Sequence, residues 1–92
     1  MPQGGTSFSS IWVANDGSNT VSKLQASTGQ VLGTFIVGTT PYGVAFDGAN
    51  VWVSNARSDN VMKLRASDGK LLGTFAVGTV PLGITFDGPI FG

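Results

Sequence analysis

Six side chains on short connecting segments carry most of the polar chemistry in this sequence: Asn15, Asp16, Tyr42, Asn55, Arg57 and Asp59. An aromatic ring beside amide, carboxylate and guanidinium groups suits a sugar or another small polar ligand. The ring would stack on an apolar sugar face, and the forked donors and acceptors would read hydroxyls. A plainer reading competes with it and carries more weight. Asx residues in short turns commonly bond their own backbone, and a lone Tyr on a loop is commonly surface cover. Asp47 and Asp87 each precede a glycine. A metal or acid–base role is open to them, since like charges brought close raise a carboxyl pKa. The Asp-Gly dipeptide more simply predicts a type I′ hairpin turn. The Gly-Thr-Phe segments at 33–35 and 73–75 are not phosphate loops, because no G-x-x-x-x-G-K-[ST] run exists.

What is missing narrows the chemistry further. The chain has no His, no Cys and no Glu. That excludes a His-based triad, an imidazole or thiolate metal site and a disulfide framework, so no cofactor is expected. Five Lys/Arg balance five Asp, which makes a poor binder of nucleic acid. No apolar run approaches the ~18–20 residues of a membrane span. Residues 1–10 lack the basic and apolar regions of a signal peptide, so the expectation is a soluble chain, cytoplasmic by default.

The elements that would position these groups come from an internal repeat. Residues 11–50 and 51–90 align without a gap at an offset of 40, with 22 of the 40 positions identical. The domain reading is an N-terminal segment 1–10, repeat 11–50, repeat 51–90 and a stub 91–92. Each copy holds strand signals rich in β-formers, separated by Gly, Asx and Pro turn chemistry. They fall at 11–15, 20–24, 31–37 and 43–47 in the first copy, and at 51–55, 60–64, 71–77 and 83–87 in the second. Gly recurs too often for a stable helix. Four short antiparallel strands per ~40 residues is the size of one propeller blade. The expected fold class is therefore all-β, with two four-stranded β-propeller blades per chain.

The residues Trp12-Val13-Ala14-Asn15 and Trp52-Val53-Ser54-Asn55, each with a Pro-x-Gly-hydrophobic-x-Phe-Asp-Gly segment at 41–48 and 81–88, resemble the YVTN/NHL-type β-propeller repeats of bacteria. Trp replaces the family's Tyr, and Ala or Ser its Thr. The resemblance implies strands ordered A to D from hub to rim. It places 43–47 as A, 51–55 as B, 60–64 as C and 71–77 as D. Streptogramin lyases are similar in repeat style and imply a His/Glu set with a divalent metal. This chain lacks both residue types, so that activity does not carry over.

Read in phase, the first blade lacks a hub strand, because GGTSFSS has neither the Pro-x-Gly start nor the Asp-Gly end. The last hub strand, 83–87, lacks its blade. Two blades cannot close a ring of about 4–8. The expectation is a ring closed by oligomerisation with strand exchange, a six-bladed homotrimer first and an eight-bladed tetramer second. Trp12, Trp52, Phe35 and Phe75 are expected between blades, and Lys23, Lys63 and Arg65 in solvent towards the rim. The expected function is a non-enzymatic binding scaffold for a small polar ligand or a protein. The alternatives are a fragment of a larger propeller with no separate role, or a metal-dependent enzyme.

Overall fold

The computed structural model describes residues 9–88. Seven six-residue strands follow one another: β1 (Ser10–Asn15), β2 (Thr20–Gln25), β3 (Val31–Ile36), β4 (Pro41–Phe46), β5 (Asn50–Asn55), β6 (Asn60–Arg65) and β7 (Leu71–Ala76). They form two antiparallel sheets, ordered β1-β2-β3 and β4-β5-β6-β7. The fold is all-β, with no helix among the described residues. Each strand through residue 77 lies within two residues of its expected place.

The expected pair of four-stranded sheets is corrected to one of three strands and one of four. Residues Pro81–Asp87 belong to no strand. A strand exists through its ladder, and within the chain this segment has no ladder partner. It still has a fixed seat. The Ser54 hydroxyl donates to the Leu82 carbonyl at 2.9 Å and accepts the Gly43 N–H at 2.9 Å, so the segment crosses in front of β4 and β5. Gly43 permits that crossing, since a Cβ there would stand 2.6 Å from the Leu82 oxygen. The reading of residues 4–8 as a poor hub strand lies outside the described residues, as do residues 89–92.

The turns repeat with the sequence. Gly29 and Gly69 close the β2–β3 and β6–β7 connections at φ 78° and 77°, each donating at 2.7 Å to the carbonyl of Gln25 or Arg65. The β1–β2 and β5–β6 turns place Asn19 and Asp59 at φ 61° and 55°. Their side-chain oxygens then accept the N–H of Thr40 at 2.9 Å and of Val80 at 2.8 Å. Thr40 and Val80 themselves stand at φ 55° and 51°. A β-branched residue is strained in that region. The same cap, 40 residues apart, holds both in place.

The two sheets stack face to back. Trp12 of β1 packs on Phe35 of β3 with ring centroids 5.8 Å apart, and Lys23 of β2 lies over Trp12. The Lys23 ammonium reaches across to the Ala66 carbonyl of the other sheet at 2.8 Å. That corrects the expectation of a solvated Lys23: its stem crosses the gap and its head is tied to backbone. The Phe35 ring covers Gly69 so closely that a side chain there would overlap it. The buried core is Val21, Val37, Val51, Val53 and Leu64. Gly69→Ala is expected to cost about 2–3 kcal/mol in chemical denaturation, from a strained φ and a displaced Phe35. Gly17→Ala, in open space, should change stability by less than about 0.5 kcal/mol. Equal effects would contradict the stacking.

Candidate functional site

The antiparallel order puts the β1–β2 turn, the β5–β6 turn and the β3–β4 connection at one end of the sheets. Hydrogen bonds join them there. Asn19 holds Thr40, the Ser58 hydroxyl accepts the Thr39 N–H at 2.7 Å, and Arg57 N–H donates to the Thr39 carbonyl at 3.1 Å. All six candidate ligand residues lie at this end, but their side chains do different work. Asn55 is fully buried and donates to Asn60 Oδ1 at 2.8 Å. Asn15 donates to Thr20 Oγ1 at 3.2 Å and Ser22 Oγ at 2.9 Å. Asp59 caps Val80. Asn15 and Asn55 close β1 and β5 and Asp59 lies in the turn between β5 and β6; each spends its side chain on a partner in a neighbouring segment rather than on its own backbone. Asp16, Arg57 and Tyr42 are exposed.

Tyr42 belongs to β4, where a loop position was expected. Pro41 pairs with Asn55 and Gly43 with Ser54, leaving Tyr42 as the extra residue of a β-bulge, 59% exposed. A bulge re-aims the side chain it carries out of the ladder. Among the described residues no hydrogen bond or ion pair joins the six side chains to one another. The end therefore offers one outward aromatic ring and two free charges of opposite sign on a rigid base.

A concavity lies at the opposite end, which the sequence reading passed over. A cleft of about 490 Å³ opens between the sheets, lined by Ser9, Ser10, Trp12, Lys23, Phe46 and Ser67 among others. A smaller one, about 160 Å³, sits 40 residues on, between Trp52 and the segment Ile84–Phe86. The signal was present in the sequence: a Trp and a Lys face each other across neighbouring strands in both copies, Trp12 with Lys23 and Trp52 with Lys63.

The charges at this end are set by hydrogen bonds. Asp47 Oδ1 accepts the N–H of Ala49 at 2.9 Å and of Asn50 at 2.7 Å, while Oδ2 accepts the Trp52 indole N–H at 2.8 Å. Lys63 lies 5.3 Å over the Trp52 ring. The indole bond first, then the two backbone bonds, hold the Asp47 carboxyl below its usual range. This is an Asx turn, as the Asp-Gly pair suggested. Gly48 has φ 100° while Asp47 is not left-handed, so the expected type I′ geometry, with two positive φ, is replaced by a single one. Farther out, the Arg65 guanidinium grips Asp68 through two bonds and brings its carboxyl down to about 2. The first copy makes the same turn without charge, Thr28 Oγ1 donating to Gln25 at 3.0 Å.

Asp47→Ala, which removes three acceptor contacts, is expected to cost about 1–2 kcal/mol near neutral pH. A lowered folded-state pKa contributes stability above the unfolded value, and that stability is lost as pH falls through the lowered value. The gap between wild type and variant in urea melts should therefore narrow below about pH 4. A gap constant from pH 7 to pH 2 would contradict the assignment.

No family model matches the sequence, and no curated protein matches it. Among solved structures the chain is similar to hydrazine synthase from Kuenenia stuttgartiensis, at 30% identity and a TM-score of 0.80. The likeness covers 84% of this chain and 22% of that one, so the chain spans about a fifth of the neighbour's length.

Proposed function

We propose that the chain is a pair of β-propeller blades of the YVTN/NHL kind that assembles with further copies of itself into a closed, non-enzymatic binding scaffold. The observation that carries this reading is an unequal burial of equivalent residues. Val51 and Val53 are 0% exposed, whereas Ile11 and Val13, their counterparts 40 residues earlier, are 54% and 40% exposed. The difference is cover on one face and one edge: Trp12, Ala14 and Phe35 of the first sheet pack against Val51 and Val53 and β4 flanks them, whereas among the described residues no sheet lies on the same face of β1 and no strand lies beside it. Applying the β4–β5 register 40 residues on, segment 81–86 of one copy would lie along residues 11–15 of the next, Ile84 opposite Val13 and Phe86 opposite Ile11. Each fully covered Ile or Val contributes about 1.5–3 kcal/mol.

The faces agree with the edge. Phe75, the counterpart of Phe35, is 47% exposed, and nothing lies within 4 Å of the Cβ direction at Gly29, the counterpart of Gly69. In a ring, Phe75 would cover Gly29 of the next copy and Lys63 would reach its Ala26 carbonyl. The residues of this contact are the same in both repeats: Trp12/Trp52, Lys23/Lys63, Ala26/Ala66, Gly29/Gly69, Phe35/Phe75 and Phe46/Phe86. A head-to-tail contact of this kind closes into a cyclic assembly, six blades from three chains first and eight from four second.

The opposite end of such a ring would present Tyr42, Asp16 and Arg57 once per chain, a repeated platform for a small polar ligand such as a sugar, with avidity on a multivalent one. Calorimetric titration of the assembled protein with neutral oligosaccharides is expected to give one site per chain, abolished by Tyr42→Ala. Heat that survives Tyr42→Ala would place any sugar elsewhere.

Solution mass tests the scaffold. Light scattering is expected at about three chain masses. Gly29→Asn keeps a residue tolerant of positive φ and fills the space that Phe75 would need. It should leave the far-UV spectrum unchanged and shift the assembly towards single chains by tenfold or more. A wild-type protein of one chain mass, or a Gly29→Asn variant as fully assembled as wild type, overturns the ring.

A further inference from the structure

We infer that Asp87 of one copy completes the hairpin of the next by accepting the Trp12 indole N–H and the Ser9 and Ser10 backbone N–H groups there. The inference rests on the ring reading and adds the polar lock that would fix its register. Asp47 shows the geometry. It follows the last residue of β4 and binds groups two, three and five residues ahead: Ala49 N–H, Asn50 N–H and the Trp52 indole.

Asp87 follows Phe86 just as Asp47 follows Phe46. Two, three and five residues ahead of it in its own chain stand Pro89, Ile90 and Gly92. Pro89 has no N–H and Gly92 no side chain, so two of the three donors cannot exist in cis. The repeat supplies them in trans. The counterparts of Ala49, Asn50 and Trp52 are Ser9, Ser10 and Trp12. Those three residues line one cleft at the near end of β1, beside Lys23. Lys23 lies 5.6 Å over Trp12 much as Lys63 lies over Trp52, so the cation that faces Asp47 has its equivalent ready for Asp87. The residue at the matching place before Trp12 is Ser7, which brings no carboxylate of its own.

A carboxylate accepting an indole and two backbone N–H groups is a charge-assisted set, stronger than neutral bonds. It would also read register. A slip of one residue puts the carboxylate beside Val13 or Ile11 instead of Trp12 and turns every side chain to the wrong face.

The test uses the full wild-type chain, since Trp52 belongs to the contact between copies. Sedimentation across a dilution series is expected to show Asp87→Ala weakening assembly by about tenfold or more. Trp12→Phe should weaken assembly too, and the double variant should lose less than the product of the two. Independent, multiplicative losses, or an Asp87→Ala protein that assembles like wild type, would overturn the lock while leaving the ring intact. A parent protein of one chain mass would remove the ring and the lock with it.

Discussion

The structure depends on one contact, the stacking of one sheet's forward face on the back of the next. Trp12, Lys23 and Phe35 form that forward face; Phe46, Ala66 and Gly69 form the back that receives it. A sheet of three or four six-residue strands has too little mass to bury both of its faces. It gains stability where a neighbour covers a face. The Phe35 ring reaches backbone because residue 69 has no side chain, and Gly69 is also the residue whose turn needs a positive φ. One glycine therefore satisfies turn and interface together, which ties the β6–β7 hairpin to the sheet in front of it.

Much of the fold was legible because the repeat makes each strand signal appear twice. The seven strands and the end shared by the turns followed from the phase of that repeat. The illegible part was whatever arises only once sheets meet. Lys23 reads as a solvated rim cation in sequence, and its bond to the Ala66 carbonyl exists only because another sheet stands there. Thr40 and Val80 fall in the connections before 43–47 and 83–87, and as β-branched residues give no sign of a positive φ, yet they sit left-handed because Asn19 and Asp59 hold their N–H groups. Tyr42 reads as a loop residue because a bulge leaves no composition signal of its own. At the candidate site, Asn15, Asn55 and Asp59 bond partners that only the folded register supplies (Thr20 and Ser22, Asn60, and Val80), which leaves Tyr42, Asp16 and Arg57 facing outwards.

Several differences between the copies fall on the turns. Asp16 and Gly17 become Ala56 and Arg57, Tyr42 becomes Leu82, and the neutral Gln25–Thr28 pair becomes the Arg65–Asp68 ion pair. Others fall inside the contact, Ser22 against Met62 and Ala14 against Ser54 among them. Ser54 bridges Gly43 and Leu82, and its counterpart Ala14 has no hydroxyl to bridge with. The junction following the second sheet is thus hydrogen-bonded at the hub where the one inside the chain is apolar.

This asymmetry bears on how the proposed ring would hold together. A junction within a chain is secured by covalent connection, so loss of one hydroxyl there costs only stability. A junction between chains must resist dissociation at finite concentration. The extra polar contact lies on the side of the junction that would join separate chains: Ser54 grips Leu82, just past the Asp59 cap on Val80 that the first copy also makes, as Asn19 on Thr40. Cap and hydroxyl together hold the segment 80–82 on its course across β4 and β5 before any partner arrives. Pre-ordering a strand in this way lowers the entropy lost on docking. The added hydroxyl stands where the chain has most to gain from it, at the root of the strand it would lend.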